Sequence, residues 1–146
     1  MPTVRIADFT ADHAAIRRVR FAVFVDEQQV PAEIEMDERD AECVHVLALE
    51  DGEPVGTGRV DVAKEGKIGR VAVVAGSRRR GVGAALMEQL HAIAREHGLA
   101  RCWCHAQVAA APFYARLGYR ASGEVFDEAG IPHVRMDCDL NASLRR

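Results

Sequence analysis

A chain of 146 residues has the length of one domain, and 49% hydrophobic with 28% charged residues is the balance of a folded globular protein, not a disordered one. A formal net charge of −3 gives no global pull toward nucleic acid or an anionic membrane, and no apolar run approaches the roughly 20 residues that span a bilayer. The opening Met1-Pro2-Thr3-Val4-Arg5 lacks the charged-then-apolar layout of a secretion signal, so a cytoplasmic location is expected.

Val4, Ile6 and Phe9 nearly alternate with polar residues and predict a strand over residues 3–8. Asp12 offers an N-cap, and Ile16, Val19, Val23 and Phe24 recur at helical spacing, which predicts a helix over residues 12–28 that Pro31 stops. Residues 31–42 are acidic and irregular, a loop or a short helix. Strands follow over residues 43–49, 55–62 and 67–74, separated by the turn signals Asp51-Gly52 and Glu65-Gly66. Val82, Leu86, Leu90 and Ile93 share one face of a helix that runs to His97, with Gly98 as its stop. Residues 101–107 are strand-like, 109–117 form a short helix ended by Gly118, and Tyr119 begins another strand. Pro132 interrupts the C-terminal stretch, after which residues 133–140 form a last strand. This order predicts an α/β chain of the α+β type: one domain over residues 1–146, with a mixed, mostly antiparallel sheet and helices on its faces.

Four cysteines, Cys43, Cys102, Cys104 and Cys138, lack the paired CxxC spacing of a zinc site and are expected to be small buried hydrophobes. Asp37, Asp40 and His45 have no second histidine and no regular spacing, so no metal is expected.

The segment Arg78-Arg79-Arg80-Gly81-Val82-Gly83 lies between a strand and a helix. A helix start presents unpaired N–H groups and partial positive charge, glycines let a ligand come close to the backbone, and arginines add charge, so the turn suits a phosphate. Its spacing fits neither GxxxxGK[ST] nor a GxGxxG after the first strand. Three arginines also suit nucleic acid, but no second basic cluster or interleaved aromatics accompany them, and no nucleic-acid partner is expected.

Arg78, Gly81 and Gly83 match the [RQ]-x-x-G-x-[GA] signature of the GNAT superfamily of N-acetyltransferases. Phe113-Tyr114-Ala115-Arg116-Leu117-Gly118-Tyr119 matches its second landmark about 30 residues downstream. The chain resembles that superfamily over nearly its whole length. The segments Arg20 to Gln28, Glu35 to Asp40, His105-Ala106-Gln107 and Gly130-Ile131-Pro132-His133-Val134 are similar to its ElaA-like branch. Ala75, Arg79 and Gln107 depart from the proline, glycine and asparagine common there.

The resemblance implies acetyl-CoA as co-substrate, a GNAT-like domain with a splayed central strand pair, and transfer of an acetyl group to a primary amine on a small molecule or a lysine. It also leaves room for a non-catalytic acyl-CoA-binding or partner-binding module, and for a homodimer. Carried over by position, Val71, Ala72 and Val73 would contact the pantetheine arm. Arg78, Arg79, Arg80, Gly81, Val82, Gly83 and Ala84 would hold the pyrophosphate, and Gln107, Ala110, Phe113 and Tyr114 would line the other wall.

Acetyl transfer to an amine needs a neutral nucleophile, a polarised carbonyl and a proton for the departing thiolate. A backbone N–H near Val73 is the candidate for the carbonyl and Tyr114 for the thiolate. For the base, Glu27, His105 and His133 stay open. Phe24, Glu27, Gln28 and His133 are the acceptor-binding candidates. The acids from Asp26 to Glu42, opposed only by Arg39, would favour a cationic amine if they border the acceptor entrance. No membrane partner is expected.

Overall fold

The computed structural model describes residues 2–143. Its strands are β1 (Thr3–Ala7), β2 (Val44–Glu50), β3 (Glu53–Asp61), β4 (Lys67–Val73), β5 (Arg101–Gln107), β6 (Arg120–Glu128) and β7 (Ile131–Asp139). Its helices are α1 (His13–Arg20), α2 (Ala32–Glu35), α3 (Val82–Glu96), α4 (Ala111–Arg116) and α5 (Leu140–Ser143). All the strands join one sheet in the order β1-β2-β3-β4-β5-β7-β6. Every pairing is antiparallel except that of β4 with β5. This is the α+β architecture expected from the order of elements. No helix among the described residues is long and apolar enough to cross a membrane.

Period-two alternation sorts the side chains onto the two faces. Val46, Ala48, Val60 and Ile68 join Val82, Leu86, Leu90 and Ile93 of α3 in the main core, with Cys102, Cys104 and Cys138 among them as small buried residues. Cys43 is half-buried. Leu47 points the other way and packs on Ile16 of α1. On β5, Cys102, Cys104 and Ala106 are buried, while Trp103, His105 and Gln107 are half-buried on the opposite face.

The pairing of β4 with β5 covers only Lys67 with Trp103 and Ile68 with Cys104. An irregularity in β4 accompanies its end. Thr57 pairs with Ala72 and Arg59 with Gly69, so β4 carries one residue more than β3 across this interval. Arg70 sits there with φ of 53°, in the left-handed region. A bulge of this kind bends and twists its strand, and here it turns β4 away from β5.

Several local expectations change. Asp12 makes no side-chain cap; its carboxylate accepts Arg5 at 2.9 Å and the Asp8 N–H at 2.9 Å. The helix predicted over residues 12–28 is α-helical only to Arg20. Phe21–Glu27 continues as a π-helix, with the Gln28 N–H reaching back five residues to the Val23 carbonyl at 3.1 Å. Pro132 lies inside β7 instead of breaking it. It pairs with Asp127 beyond His133, the last β7 residue paired with β5, near the strand's start, where proline is tolerated.

The acidic segment is the largest correction. Glu35 and Asp40 are buried and surround Arg20, itself buried on the apolar side of α1. Arg20 Nε meets Glu35 at 2.9 Å and its Nη1 meets Asp40 at 2.7 Å. Arg59 binds Asp40 at 2.6 Å and Asp37 at 2.8 Å, and Arg70 binds Glu35 at 3.2 Å and Asp37 at 3.1 Å. Arg39 pairs with Asp61 at 2.9 Å. Burial alone would raise the Asp40 carboxyl, but the hydrogen bonds and charge of Arg20 outweigh it and hold it at about 2. At Glu35 burial prevails and the carboxyl is raised. Arg20→Met would leave these two buried carboxylates short of a partner. It is expected to lower stability by about 3–5 kcal/mol in urea unfolding. A loss below about 1 kcal/mol would contradict the buried network.

Candidate active site

Beyond Ile68 and Cys104 the two central strands diverge, and the backbone edge of β4 faces a gap instead of a neighbour. Val74 donates its N–H to the Val55 carbonyl in β3 at 2.9 Å. Backbone polar groups alternate sides along a strand, so the N–H and C=O of Val73 and Val71 turn toward the gap. Arg78 Nε donating to the Val73 carbonyl at 2.8 Å fits this direction. A strand edge left open inside a sheet has polar groups that a ligand must satisfy.

The gap widens into a cleft of about 1050 Å³. Its upper end is the start of α3. Gly81 caps that helix with φ of 81°, where a side chain is strained, although a Cβ there would meet nothing within 4 Å. At Gly83 a Cβ would lie 3.2 Å from the Phe113 ring, a tight approach to which the ring would have to yield slightly. Gly81 therefore sets the turn, and Gly83 eases the approach of α3 to α4. The first helical hydrogen bond at this end runs from the Ala85 N–H to the Gly81 carbonyl at 3.0 Å, so the earlier amides are the unpaired set of a helix start. Together with the positive end of the helix they suit an anion.

The arginine triplet divides its work. Arg78 makes a bidentate pair with Glu27, at 2.9 and 2.6 Å. Arg80 turns away to Glu50 at 2.6 Å and is the one predicted site residue outside the cleft lining. Arg79 makes no side-chain hydrogen bond or ion pair among the described residues, which leaves its guanidinium for a ligand. It holds φ of 64°, a left-handed conformation that glycine adopts at less cost than arginine.

The other predicted residues converge on the cleft: Phe24, Glu27 and Gln28 from the π-helical segment, Val71 to Val73 from β4, Ala110, Phe113 and Tyr114 around α4, and His105, Gln107 and His133 from β5 and β7. Gln107 Nε2 donates to Gln28 Oε1 at 2.7 Å, joining β5 to the π-helical segment. Tyr114 packs edge-on against Phe113 at 5.1 Å and Tyr119 at 5.5 Å. Burial, with Cys104 nearby, pushes its phenol well above the ordinary value. Tyr119 is raised by burial too, and its hydroxyl is 2.6 Å from His91 Nε2, whose burial lowers that imidazole to about 4.

Sequence reasoning missed Glu128. It stands at the end of β6, before the two-residue turn Ala129-Gly130 with φ of 55° and 78°. Its Oε1 lies 3.0 Å from His105 Nδ1 and its Oε2 lies 3.7 Å from His133 Nε2. His133 Nδ1 is 2.7 Å from the Ile131 carbonyl; a carbonyl only accepts, so Nδ1 carries that proton. Both central residues of Glu-Ala-Gly-Ile hold positive φ and make a two-residue hairpin that pairs Glu128 with Ile131; in the sequence only Gly130 hints at it, because alanine is unusual at such a position.

Around the lower cleft, Asp37, Arg59, Arg70, Arg39 and Asp61 carry the paired charges described above, while Lys67 lies 5.3 Å over the Trp103 ring. Of the acids that sequence alone pointed at a cationic acceptor, Glu35, Asp37 and Asp40 are therefore neutralised by arginines of α1, β3 and β4, and Glu27 by Arg78. Asp37, Asp40 and His45 do not form a metal site: both carboxylates bind arginines, and His45 Nε2 meets the Asp40 carbonyl at 2.8 Å. Among the described residues no group of three potential ligands is placed to hold a metal ion.

Residues 7–140 match the family model described as an acetyltransferase (GNAT) domain. The chain is 42% identical over 120 residues to the uncharacterized N-acetyltransferase YjcF of Bacillus subtilis, covering 81% of this chain and 86% of that one. It is 32% identical over 128 residues to protein ElaA of Escherichia coli, covering 84% of each. The crystal structure of E. coli ElaA superposes with a TM-score of 0.84 over 95% of this chain and all of that one, at 27% identity. The PaiA N-acetyltransferase of Thermoplasma acidophilum, solved in complex with coenzyme A, shares the fold at 13% identity, with a TM-score of 0.73 over 95% of this chain and 99% of that one.

Tyr114 and Tyr119 are the only tyrosines, and both are raised. A phenol raised on folding favours the native state until the unfolded chain's tyrosines begin to ionise, so these two contribute stability that declines above about pH 10. Ultraviolet titration should show no tyrosinate in the native protein at about pH 10, where an ordinary phenol is half ionised, and release of both on unfolding. A native titration near the ordinary value would contradict the buried setting of Tyr119 and the half-buried, packed setting of Tyr114.

Proposed function

The chain belongs to the GNAT acetyltransferase family, and on that premise we propose that it moves an acetyl group from acetyl-CoA to a primary amine, on a small molecule or a lysine side chain, in a ternary complex. The observation that carries this is the open β4 edge running up to an unpaired helix start. Pantetheine is a chain with amide groups, and Val71 and Val73, with Ala72 between them, offer it backbone partners as a neighbouring strand would. The pyrophosphate takes the amides from Arg79 to Ala84 and the guanidinium of Arg79. Arg78 acts as a brace, tying Glu27 and the Val73 carbonyl to the turn. Ala110, Phe113, Tyr114 and Gln107 close the other wall. A protein of the same fold was solved in complex with coenzyme A, which supports coenzyme A chemistry on this fold.

The Val73 N–H polarises the thioester carbonyl and receives the developing oxyanion. An alkylammonium, with pKa near 10, must first lose a proton. Glu27 is already bound through both oxygens to Arg78, and the His133 side chain is only 8% exposed, so His105, 27% exposed on the cleft side of β5, takes that proton. The neutral amine attacks the carbonyl carbon, forming C–N, and collapse of the tetrahedral intermediate breaks C–S. Burial makes Tyr114 a poor acid, so a free tyrosinate is not an intermediate. Tyr114 passes its proton to the thiolate as the second amine proton replaces it, and the His105 proton leaves to solvent. The products are the amide, CoA thiol and one proton. Phe24, Gln28 and His133 bound the space for the acceptor.

The test is acetyl-CoA affinity together with CoA release against polyamines, aminoglycosides, amino acids and lysine peptides. The protein is expected to bind acetyl-CoA and turn over at least one amine. Tyr114→Phe should lower kcat about 10- to 100-fold while the acetyl-CoA Kd stays within about twofold. Binding without turnover on any of these amines would overturn the enzyme assignment, and an unchanged kcat in the variant would overturn the role of Tyr114.

A further inference from the structure

We propose that Glu128 is the positioning residue that makes His105 a base: its carboxylate fixes the ring and the tautomer, so that the free nitrogen Nε2 is available to the acceptor ammonium. This rests on the acetyl-transfer assignment above.

The geometry leaves His105 little freedom. Its Nδ1 lies 3.0 Å from Glu128 Oε1, while the rings of Trp103 at 5.4 Å and Phe126 at 4.9 Å pack against it at steep angles. A carboxylate accepts, so Nδ1 carries the proton of the neutral ring and Nε2 keeps its lone pair. Nε2 lies across the ring from Glu128, and His105 is 27% exposed on the cleft wall. When Nε2 takes a proton from the acceptor, the imidazolium is formed beside a carboxylate that already points at it, with no rearrangement. The logic is that of any histidine base held by an acidic partner, and it depends on roles and geometry, not on chain order.

The other charges near His105 are committed elsewhere. Arg135, across from it on β7, binds Asp137 at 3.0 Å through two nitrogens and stacks 4.1 Å over Trp103. Lys67 lies over the same indole. His133, 8% exposed, has its Nδ1–H on the Ile131 carbonyl and faces the second Glu128 oxygen. Glu128 itself projects from the end of β6 beside a tight turn, which anchors its backbone while 45% of the side chain stays exposed. Replacing it removes a carboxylate without opening the core.

The test reads the tautomer and the chemistry separately. In long-range proton–nitrogen NMR of the histidine-labelled protein at about pH 9, where imidazoles are neutral, His105 is identified by the signal lost in His105→Asn. In the wild type it should carry its proton on Nδ1. In Glu128→Gln, whose amide can also donate, the Nε2–H form should appear, and in Glu128→Asp the Nδ1–H form should persist. With the amine from the panel above that is turned over fastest, Glu128→Gln should lower kcat at least about 10-fold, with the KM for acetyl-CoA within about twofold. Because Glu128 acts through His105, the Glu128→Gln and His105→Asn double variant should lose no more than His105→Asn alone. An unchanged tautomer in Glu128→Gln, or losses that multiply in the double variant, would overturn the proposal. Absence of turnover in the wild type would overturn the acetyl-transfer assignment instead, and the NMR result would still decide the tautomer claim.

Discussion

Strands β4 and β5 hold each other at two positions and then part, and the cleft is the consequence of that separation. In an ordinary sheet the N–H and C=O groups of a central strand are satisfied on both sides. Here Val71 and the Val73 N–H face the gap, while the Val73 carbonyl accepts Arg78 Nε, and an open edge of this kind is sustained only where solvent or a ligand meets the remaining groups. The extra residue at Arg70 produces the divergence, and β3 and β7 remain paired along the outer edges of the two strands, so the gap has firm walls. The open strand edge and the start of α3 line the same cleft, so under the proposed reading one extended ligand with an anionic end would meet both.

The buried arginines hold this arrangement in place. Arg70 reaches from the bulge to Glu35 and Asp37, and Arg20 and Arg59 hold the same acidic segment from α1 and β3. Such pairs add modest net stability because the charges must be stripped of water. Their directionality is what matters to the cleft: a guanidinium satisfied on several sides admits one placement of residues 35–40 over β4. The lower cleft is consequently lined by paired charges and not by a negative field, so under the proposed reading selection of the acceptor falls to individual groups such as Glu128, His105 and His133.

Much of this was legible in the residues. Helical spacing located the α3 face residue by residue, β5 was bounded correctly at both ends, and Arg78, Gly81 and Gly83 marked the turn. What escaped depends on partners distant in the chain. Arg20 stands at a buried position on α1 where spacing calls for an apolar residue, and only Glu35 and Asp40, 15 and 20 residues on, make its burial tolerable. The π-helical stretch has no compositional signature; its widened turn helps bring Phe24, Glu27 and Gln28 to the cleft. Glu128 was hidden because Pro132 looked like a strand breaker, although the position near the start of β7 accommodates it. A run of acids read one at a time carries no information about the arginines that neutralise it.

The most direct test of the central claim is a proton–nitrogen amide titration of the labelled protein with acetyl-CoA. The account predicts that the amides of Val71, Val73 and residues 79–84 shift together and saturate at one affinity, while those of β1 and β2 do not move. Shifts confined to the helix start, with Val71 and Val73 unmoved, would mean that the turn binds phosphate alone and would contradict the claim that the open strand edge is the cofactor's seat.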